Sequence, residues 1–435
     1  MQNNNENATS ETVSVTPSQQ FDVVIVGGGA GGISVAASLL KRQPGVSIAI
    51  IDPASEHSYQ PGWTLVGGGV FKREDTRRPM ASLIPHGVTF IPAAVTTFHP
   101  DSNAVSTDDG KVLGYRTLVV SPGLKLNWEA IPGLKETLGK NGVTSNYSWD
   151  TAPYTWQNVQ QLKRGKAIFT QPPMPIKCAG APQKAMYLSC SEWQRQAILK
   201  DIDVEFCNAG GVLFGVADYV PALMSYIDRY DINLSLGQNL VAVDGERKIA
   251  TFETTDADGN KTRIEKEFDM LHVCPPQCAL DFIKNSPLSD DAGWFDVYPD
   301  TLQHKRYDNI FGLGDGTNTP NAKTAAAVRA QAPVVAENVL SVLVKQSPRA
   351  IYDGYGSCPL TVERGKIVLA EFCYGGKVKP SFPTWFIDGT QPSYLAWLLK
   401  EKTLPWVYWQ GMLKGHEWLV APQISAQPPR QLQSA

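Results

Sequence analysis

The chain has 435 residues, 43% hydrophobic and 19% charged, with a formal net charge of -3. That length supports two or three domains with cores of their own, and the near balance of charge supplies no basic field, which excludes nucleic acid as a partner. Seven cysteines at irregular spacings do not read as a secreted disulfide scaffold, and leave thiols free for chemistry.

Residues 1–20 are rich in Asn, Ser, Thr, Gln and Glu, without Lys or Arg, and are expected to form a disordered tail rather than a signal or transit peptide. No stretch approaches the roughly 18 apolar residues that a membrane-spanning helix needs, so membrane contact is expected to be peripheral. With no export signal read in the sequence, that contact is expected on the cytoplasmic side of the inner membrane.

The first ordered segment is the apolar run Phe21-Asp-Val-Val-Ile-Val26, followed by Gly27-Gly-Gly-Ala-Gly-Gly32 and a helical stretch from Ile33 to Lys41. Strand, glycine turn and helix are the context that a dinucleotide fingerprint requires: Gly27 for the tight turn, Gly29 for backbone approach to a pyrophosphate, Gly32 for close helix packing. A second apolar run, Val46 to Ile51, ends in Asp52, about 20 residues beyond Gly32, where a carboxylate meets an adenosine ribose. Further along, Tyr115-Arg-Thr-Leu-Val-Val-Ser-Pro-Gly123 and Asn309-Ile-Phe-Gly-Leu-Gly-Asp315 read as strands ending in small-residue turns. Lys323-Thr-Ala-Ala-Ala-Val328 reads as a helix start whose positive end can face an electron-rich ring. Strand, T/S-x-G and G-D in this order resemble the two-dinucleotide-domain flavoproteins, which separates FAD from NAD.

Between these parts, Val204-Glu-Phe-Cys-Asn-Ala-Gly-Gly-Val-Leu-Phe-Gly-Val216 stands where a second fingerprint is expected, but Gly210, Gly211 and Gly215 do not give G-x-G-x-x-G and Phe214 would crowd a phosphate. A βαβ scaffold that has lost NAD(P)H is the inference.

Two cysteines stand out. Cys178, in Pro175-Ile-Lys-Cys-Ala-Gly-Ala-Pro-Gln-Lys184, lies before a helix expected from Ala185 to Arg195 and between two lysines, a setting that lowers a thiol pKa. Cys358, in Tyr352-Asp-Gly-Tyr-Gly-Ser-Cys-Pro-Leu360, is expected in a Gly/Pro loop. Cys207 and Cys190 read as core residues. His272, Cys274 and Cys278 lack a second ligand pair at zinc spacing, so packing or an accessory redox role is favoured over metal.

Tyr59-Gln-Pro-Gly-Trp-Thr-Leu-Val-Gly67, Lys177-Cys-Ala-Gly-Ala-Pro-Gln-Lys184, Gly312-Leu-Gly-Asp-Gly-Thr-Asn318, Lys323-Thr-Ala-Ala-Ala-Val328 and Gly354-Tyr-Gly-Ser-Cys-Pro-Leu360 together resemble the type II sulfide:quinone oxidoreductases, over about residues 21 to 420. The resemblance implies that Cys178 and Cys358 form a redox pair on the flavin, bridged directly or through an extra sulfur. It implies FAD contacts from Ala30, Gly31, Asp52, Gln60, Val95, Lys184, Asp315 and Lys323, beside Gly27, Gly29, Gly32 and Gly123 of the turns. A third cysteine shortly after Gly123, found in type I relatives, is absent, whereas Cys274 and Cys278 depart from the pattern. Hydrosulfide would attack the bridged pair, leaving a persulfide on Cys358 and freeing Cys178, with a small acceptor such as glutathione or sulfite removing the sulfane sulfur.

The expected fold is α/β: two Rossmann-like dinucleotide-binding-type domains plus a C-terminal amphipathic membrane-attachment region. Its parts are a tail (1–20), an FAD-binding domain in two pieces (21–150 and 291–345), a degenerate NAD-type domain (151–290), and a C-terminal region (346–435). Five of the 11 tryptophans, Trp385, Trp397, Trp406, Trp409 and Trp418, fall in that last region beside Lys400, Lys402 and Lys414. They suggest an interfacial helix pair broken at Pro405 that meets a membrane quinone, and removal of residues 390–435 is expected to spare FAD. A homo-oligomer is compatible with all of this. The rival readings are a type II NADH:quinone dehydrogenase, a flavocytochrome-type sulfide dehydrogenase subunit and a non-catalytic flavin scaffold.

Overall fold

The structure is a computed structural model, and it describes residues 16–426. Most of the expected tail, residues 1–15, lies outside the described residues, and so does the end of the C-terminal region from 427.

The first sheet has seven strands. Gln19–Val26 is flanked by parallel Ile48–Ile51 and Val112–Val120, Val88–Ile91 extends one side, and an antiparallel pair, Ala104–Thr107 and Val95–His99, closes the other. Ile310–Gly312 returns from the distant part of the chain to pair in parallel with Val112–Val120. Val23 to Val26 and Ile48 to Ile51 are all buried, as strands covered on both faces must be, which explains their unbroken apolar composition. Helices Ala30–Arg42 and Ala325–Leu343 pack on this sheet.

The second sheet is wholly parallel, in the order Val143–Thr144, Met270–His272, Gly165–Gln171, Ile202–Asn208, Asn233–Leu236. It begins before the boundary expected at 151. Its first βαβ unit is Gly165–Gln171, helix Ala181–Arg195 and Ile202–Asn208. That connectivity corrects the reading of residues 204–216. They follow the second strand of the unit, whereas the turn where a fingerprint would stand is residues 172–180. That turn holds Pro172, Pro173, Pro175 and Cys178. Proline has no N–H, so a phosphate would find few donors there, and the inferred loss of the nicotinamide site rests on this turn. The glycines at 210 and 211 misled because they form a local turn, with Gly210 N–H bonded to Asn208 Oδ1 at 2.8 Å.

Beyond these sheets, Gly356–Glu363 and Lys366–Phe372 form an antiparallel hairpin that packs on helix Ala181–Arg195. Cys358 therefore lies in a strand and not in the expected loop. Pro359 is tolerated because each strand of a two-stranded hairpin keeps one unpaired edge.

The C-terminal segment also differs from expectation. Residues 394–414 form one continuous helical run with π-helical stretches at Leu399–Thr403 and Val407–Gly411 on either side of Leu404–Trp406. The wider turns absorb the missing N–H of Pro405 without a break. Trp397, Tyr408 and Trp409 are buried in the cores, while Trp385, Trp406 and Trp418 are exposed. No helix among the described residues is long and apolar enough to cross a membrane. Removal of residues 390–435 would thus take buried core residues as well as surface ones, so it is not the clean separation of membrane contact from fold that the sequence suggested.

Trp193 is fully buried between the second sheet and its helices, with its indole N–H donated to Val159 O at 2.9 Å. Trp193→Ala should destabilise the protein by about 3–5 kcal/mol, read as a lower urea midpoint. An unchanged midpoint would show that this core does not limit stability.

Candidate active site

The nucleotide end is built by the glycine turn. Gly27 has φ +102, and a Cβ there would lie 2.6 Å from Ser121 O; a Cβ on Gly32 would strike Gly27 O. Gly31 faces the Ser121 and Leu313 side chains, so Ala30 and Gly31 begin their helix in close contact with the neighbouring strand ends. A Cβ on Gly29 would meet nothing, and no side chain caps the helix there. Free N–H groups over open space are what a pyrophosphate requires. Asp52 accepts from Gly28 N at 2.6 Å and Ala54 N at 2.8 Å, which fixes its carboxylate at the strand end. Gly123 (φ +79) also borders open space, with Gly316 against its carbonyl. These residues fit FAD. Val95 sits on the antiparallel edge of the same sheet, buried in its core.

The sulfurs of Cys178 and Cys358, 180 residues apart in sequence, are 3.6 Å apart and not joined to each other. Cys178 has φ +50, a left-handed backbone that is costly for a non-glycine residue and points to a constrained, functional turn. Its N–H donates to Lys323 O at 2.9 Å, which pins this turn to the start of helix Ala325–Leu343. Lys177 Nζ donates to Gln60 Oε1 at 2.6 Å. The Tyr147 hydroxyl reaches the carbonyls of Lys177 and Cys178 at 3.3 and 3.4 Å. The expected site residues Gln60, Lys184, Asp315 and Lys323 therefore gather around the cysteine turn.

Helix Ala181–Arg195 starts four residues earlier than expected, so Lys184 lies on its first turn. Its ammonium donates to Cys178 Sγ at 3.0 Å and stands 3.9 Å from Cys358 Sγ. Cys178 is held well below the usual thiol range, first by the hydrogen bond from Cys358 and then by Lys184, which together outweigh burial. Cys358 is pushed well up by the same hydrogen bond, by burial and by the negative charge on its neighbour. The surroundings thus favour the thiolate on Cys178 and the thiol on Cys358. Asp315 is pushed up by burial, and its carbonyl, with that of Thr317, holds Lys323 Nζ at 2.9 and 2.7 Å. Burial lowers Lys323 to about 8.

One residue enters from outside the expected set. Lys400 was expected at a membrane interface; instead its side chain is buried, and Nζ donates to Pro61 O at 2.9 Å. Burial, then repulsion from Lys184, lower it to about 7 against the pull of Cys178. Its position is set by the helical run, and a lysine between tryptophans gives no sequence sign of facing inward. Cys274 is buried, with its thiol pushed to about 12 by burial, and packs behind the turn with Tyr147 and Ile176. Cys278 is half-buried on a two-residue strand beside Lys125. No group of residues among those described could hold a metal ion.

The charge pattern predicts selective alkylation. Reduced protein should lose Cys178 to iodoacetamide at pH values well below the usual thiol range near 8.5, with Cys358 unmodified, and Lys184→Met should move the Cys178 profile upward. Equal labelling of both thiols at every pH would contradict the assignment.

A sequence profile of the pyridine nucleotide-disulphide oxidoreductase family matches residues 21–153. The mitochondrial sulfide:quinone oxidoreductase of Dictyostelium discoideum is 46% identical over 397 residues, spanning 90% of this chain and 86% of that protein. Its counterpart in Mus musculus is 40% identical over 401 residues, spanning 92% and 88%. The crystal structure of the sulfide:quinone oxidoreductase from Aquifex aeolicus shares the fold with a TM-score of 0.74 at 20% identity, over 95% of this chain and 98% of that one. With a paired cysteine site on a doubled dinucleotide fold and close relatives along most of its length, the chain belongs to the sulfide:quinone oxidoreductase family.

Proposed function

We propose that this protein oxidises hydrosulfide at Cys178 and Cys358 and passes two electrons through FAD to a quinone at a membrane surface. The observation that carries the reading is the sulfur pair, 3.6 Å apart under one lysine.

Thiol–disulfide exchange expels the sulfur with the lower pKa faster. In the bridged state, hydrosulfide attacks Cys358 Sγ, the bond to Cys178 breaks, and Cys178 leaves as a thiolate stabilised by Lys184. The product is a persulfide on Cys358. A small acceptor thiolate or sulfite then takes the outer sulfur and leaves Cys358 as thiolate. Closing the bridge again releases two electrons; FAD, when bound, would supply the two-electron acceptor for them and the route to quinone. An S–S bond of about 2.05 Å needs only a side-chain rotation from the observed separation, and two such bonds in series span about 3.3 Å, so one inserted sulfur also fits. Gly27, Gly29, Gly32, Asp52, Gly123 and Asp315 would hold FAD, with Lys323 and Lys400 supplying positive charge near its ring.

Two observations favour this over an NADH dehydrogenase. The turn at 172–180 is proline-rich, and helix Ala181–Arg195 aims its positive end at a thiolate instead of a pyrophosphate. Exposed Trp385, Phe386, Tyr394, Leu395, Trp406, Trp418 and Leu419 support peripheral attachment, read here as cytoplasmic, as amphipathic aromatics do at an interface.

Sulfide added anaerobically should bleach the flavin band of the purified protein, and NADH should not; Cys178→Ser and Cys358→Ser should abolish the bleaching with FAD retained. Bleaching by NADH, or normal sulfide bleaching in either variant, would defeat the reading. Gly180→Ala gives a second test, because the new Cβ would lie 2.6 Å from Cys358 Sγ and also strike Leu360. Misplacement on that scale should slow sulfide reduction about a hundredfold; a normal rate would mean that the observed spacing is not the reactive one.

A further inference from the structure

Away from the sulfurs, the charges of the C-terminal segment converge on one carboxylate. The helical run ends at Gly415 (φ +68), which lies directly on helix Ala30–Arg42: a Cβ there would be 2.8 Å from the carbonyl carbon of Ala37. Two residues on, Glu417 accepts from Arg42 Nη1 at 2.5 Å and Nη2 at 2.9 Å, and from the Ser38 hydroxyl at 2.6 Å. Arg42 Nε reaches back to Glu337 of helix Ala325–Leu343 at 3.0 Å, and Lys41 Nζ meets His416 Nδ1 at 3.0 Å. Arg329, on that second helix, donates to Trp418 O. The Arg42–Glu417 ion pair thus fastens the turn after Gly415 to helix Ala30–Arg42, and the Arg329–Trp418 bond fastens it to helix Ala325–Leu343, the two helices whose N-termini would serve the dinucleotide.

The other side of this fastening faces outward. Trp418 stacks on Trp406 at 5.5 Å and 2°, and on His416 at 5.0 Å and 15°. Leu419 beside it is 79% exposed. Glu417 and Arg42 hold each other's charge, with Arg42 raised and Glu417 lowered mainly through their mutual contact against the opposing effect of burial. Loss of the pair would loosen the turn at residues 416–419, which would then be held to these helices through the Lys41–His416 and Arg329–Trp418 contacts.

We propose that Arg42 and Glu417 are positioning residues for the acceptor half of the reaction: they set the Trp406, Trp418 and Leu419 edge relative to the FAD-binding helices. The proposal rests on the reading that this edge meets a bilayer. None of these bonds involves Cys178, Cys358 or Lys184, so loss of the pair should separate the two half-reactions.

The test compares wild-type holoenzyme with Glu417→Gln, Arg42→Gln and the conservative Glu417→Asp. The rate of flavin bleaching by sulfide should be unchanged in all. The KM for a long-chain quinone in phosphatidylcholine–phosphatidylglycerol vesicles should rise about fivefold in Glu417→Gln and Arg42→Gln, the scale of a partly screened ion pair, and stay near the wild-type value in Glu417→Asp. The KM for a short-chain, water-soluble quinone should not move. Wild-type enzyme that fails to sediment with the vesicles overturns the membrane reading and this proposal with it. Wild type that binds, with Glu417→Gln kinetically identical to it, overturns the proposal alone, as does an equal loss with the water-soluble quinone.

Discussion

The contact from the Lys184 ammonium to the Cys178 sulfur, 3.0 Å long and shielded from solvent, organises everything around it. A buried ammonium without a counter-charge would be costly, and so would a buried thiolate; each is tolerable because the other is there. The helix that carries Lys184 supplies the positive end of its own dipole, and the left-handed turn at Cys178 aims the sulfur back at the hairpin. The contact between the two sulfurs and the single lysine then favour the negative charge on Cys178 over Cys358. That asymmetry is the chemical content of the site, because it decides which sulfur leaves and which keeps the persulfide.

The architecture serves this contact by repurposing a dinucleotide scaffold. In the first unit, the helix N-terminus at Gly29 is left open for phosphates. In the second, the equivalent N-terminus is closed by prolines and given to a cysteine. The same backbone device, free N–H groups at a helix start, stabilises an anion in both places. The hairpin that brings Cys358 follows helix Ala325–Leu343 in the chain, and at Gly180 the space a side chain would need is occupied by Cys358 and Leu360.

The parts governed by local chemistry were legible in the sequence. The first fingerprint, Asp52, the strand before Gly123, Asp315 and the helix after Lys323 all stand where their spacing put them, and of the two lysines flanking Cys178 it is Lys184 that meets the sulfur, while Lys177 turns to Gln60. What failed depended on tertiary partners. Residues 204–216 looked like the second phosphate turn because glycine composition does not reveal which strand of a βαβ unit precedes it. Cys358 looked like a loop residue because Gly354, Gly356 and Pro359 are punctuation by composition, yet a hairpin edge accommodates them. Lys400 and Trp409 were assigned to a surface that they do not reach, since a helical run with π turns rotates its faces away from the regular period. The Arg42–Glu417 pair had no sequence signal, because its partners are 375 residues apart.

The account turns on which two sulfurs are joined. Peptide mapping by mass spectrometry of the oxidised enzyme, without added reductant, decides this most directly. It should find the peptide containing Cys178 linked to the peptide containing Cys358, at the mass of a direct bridge or one sulfur heavier. A link from Cys178 to Cys274, or both peptides recovered unlinked from sulfide-competent enzyme, would contradict it.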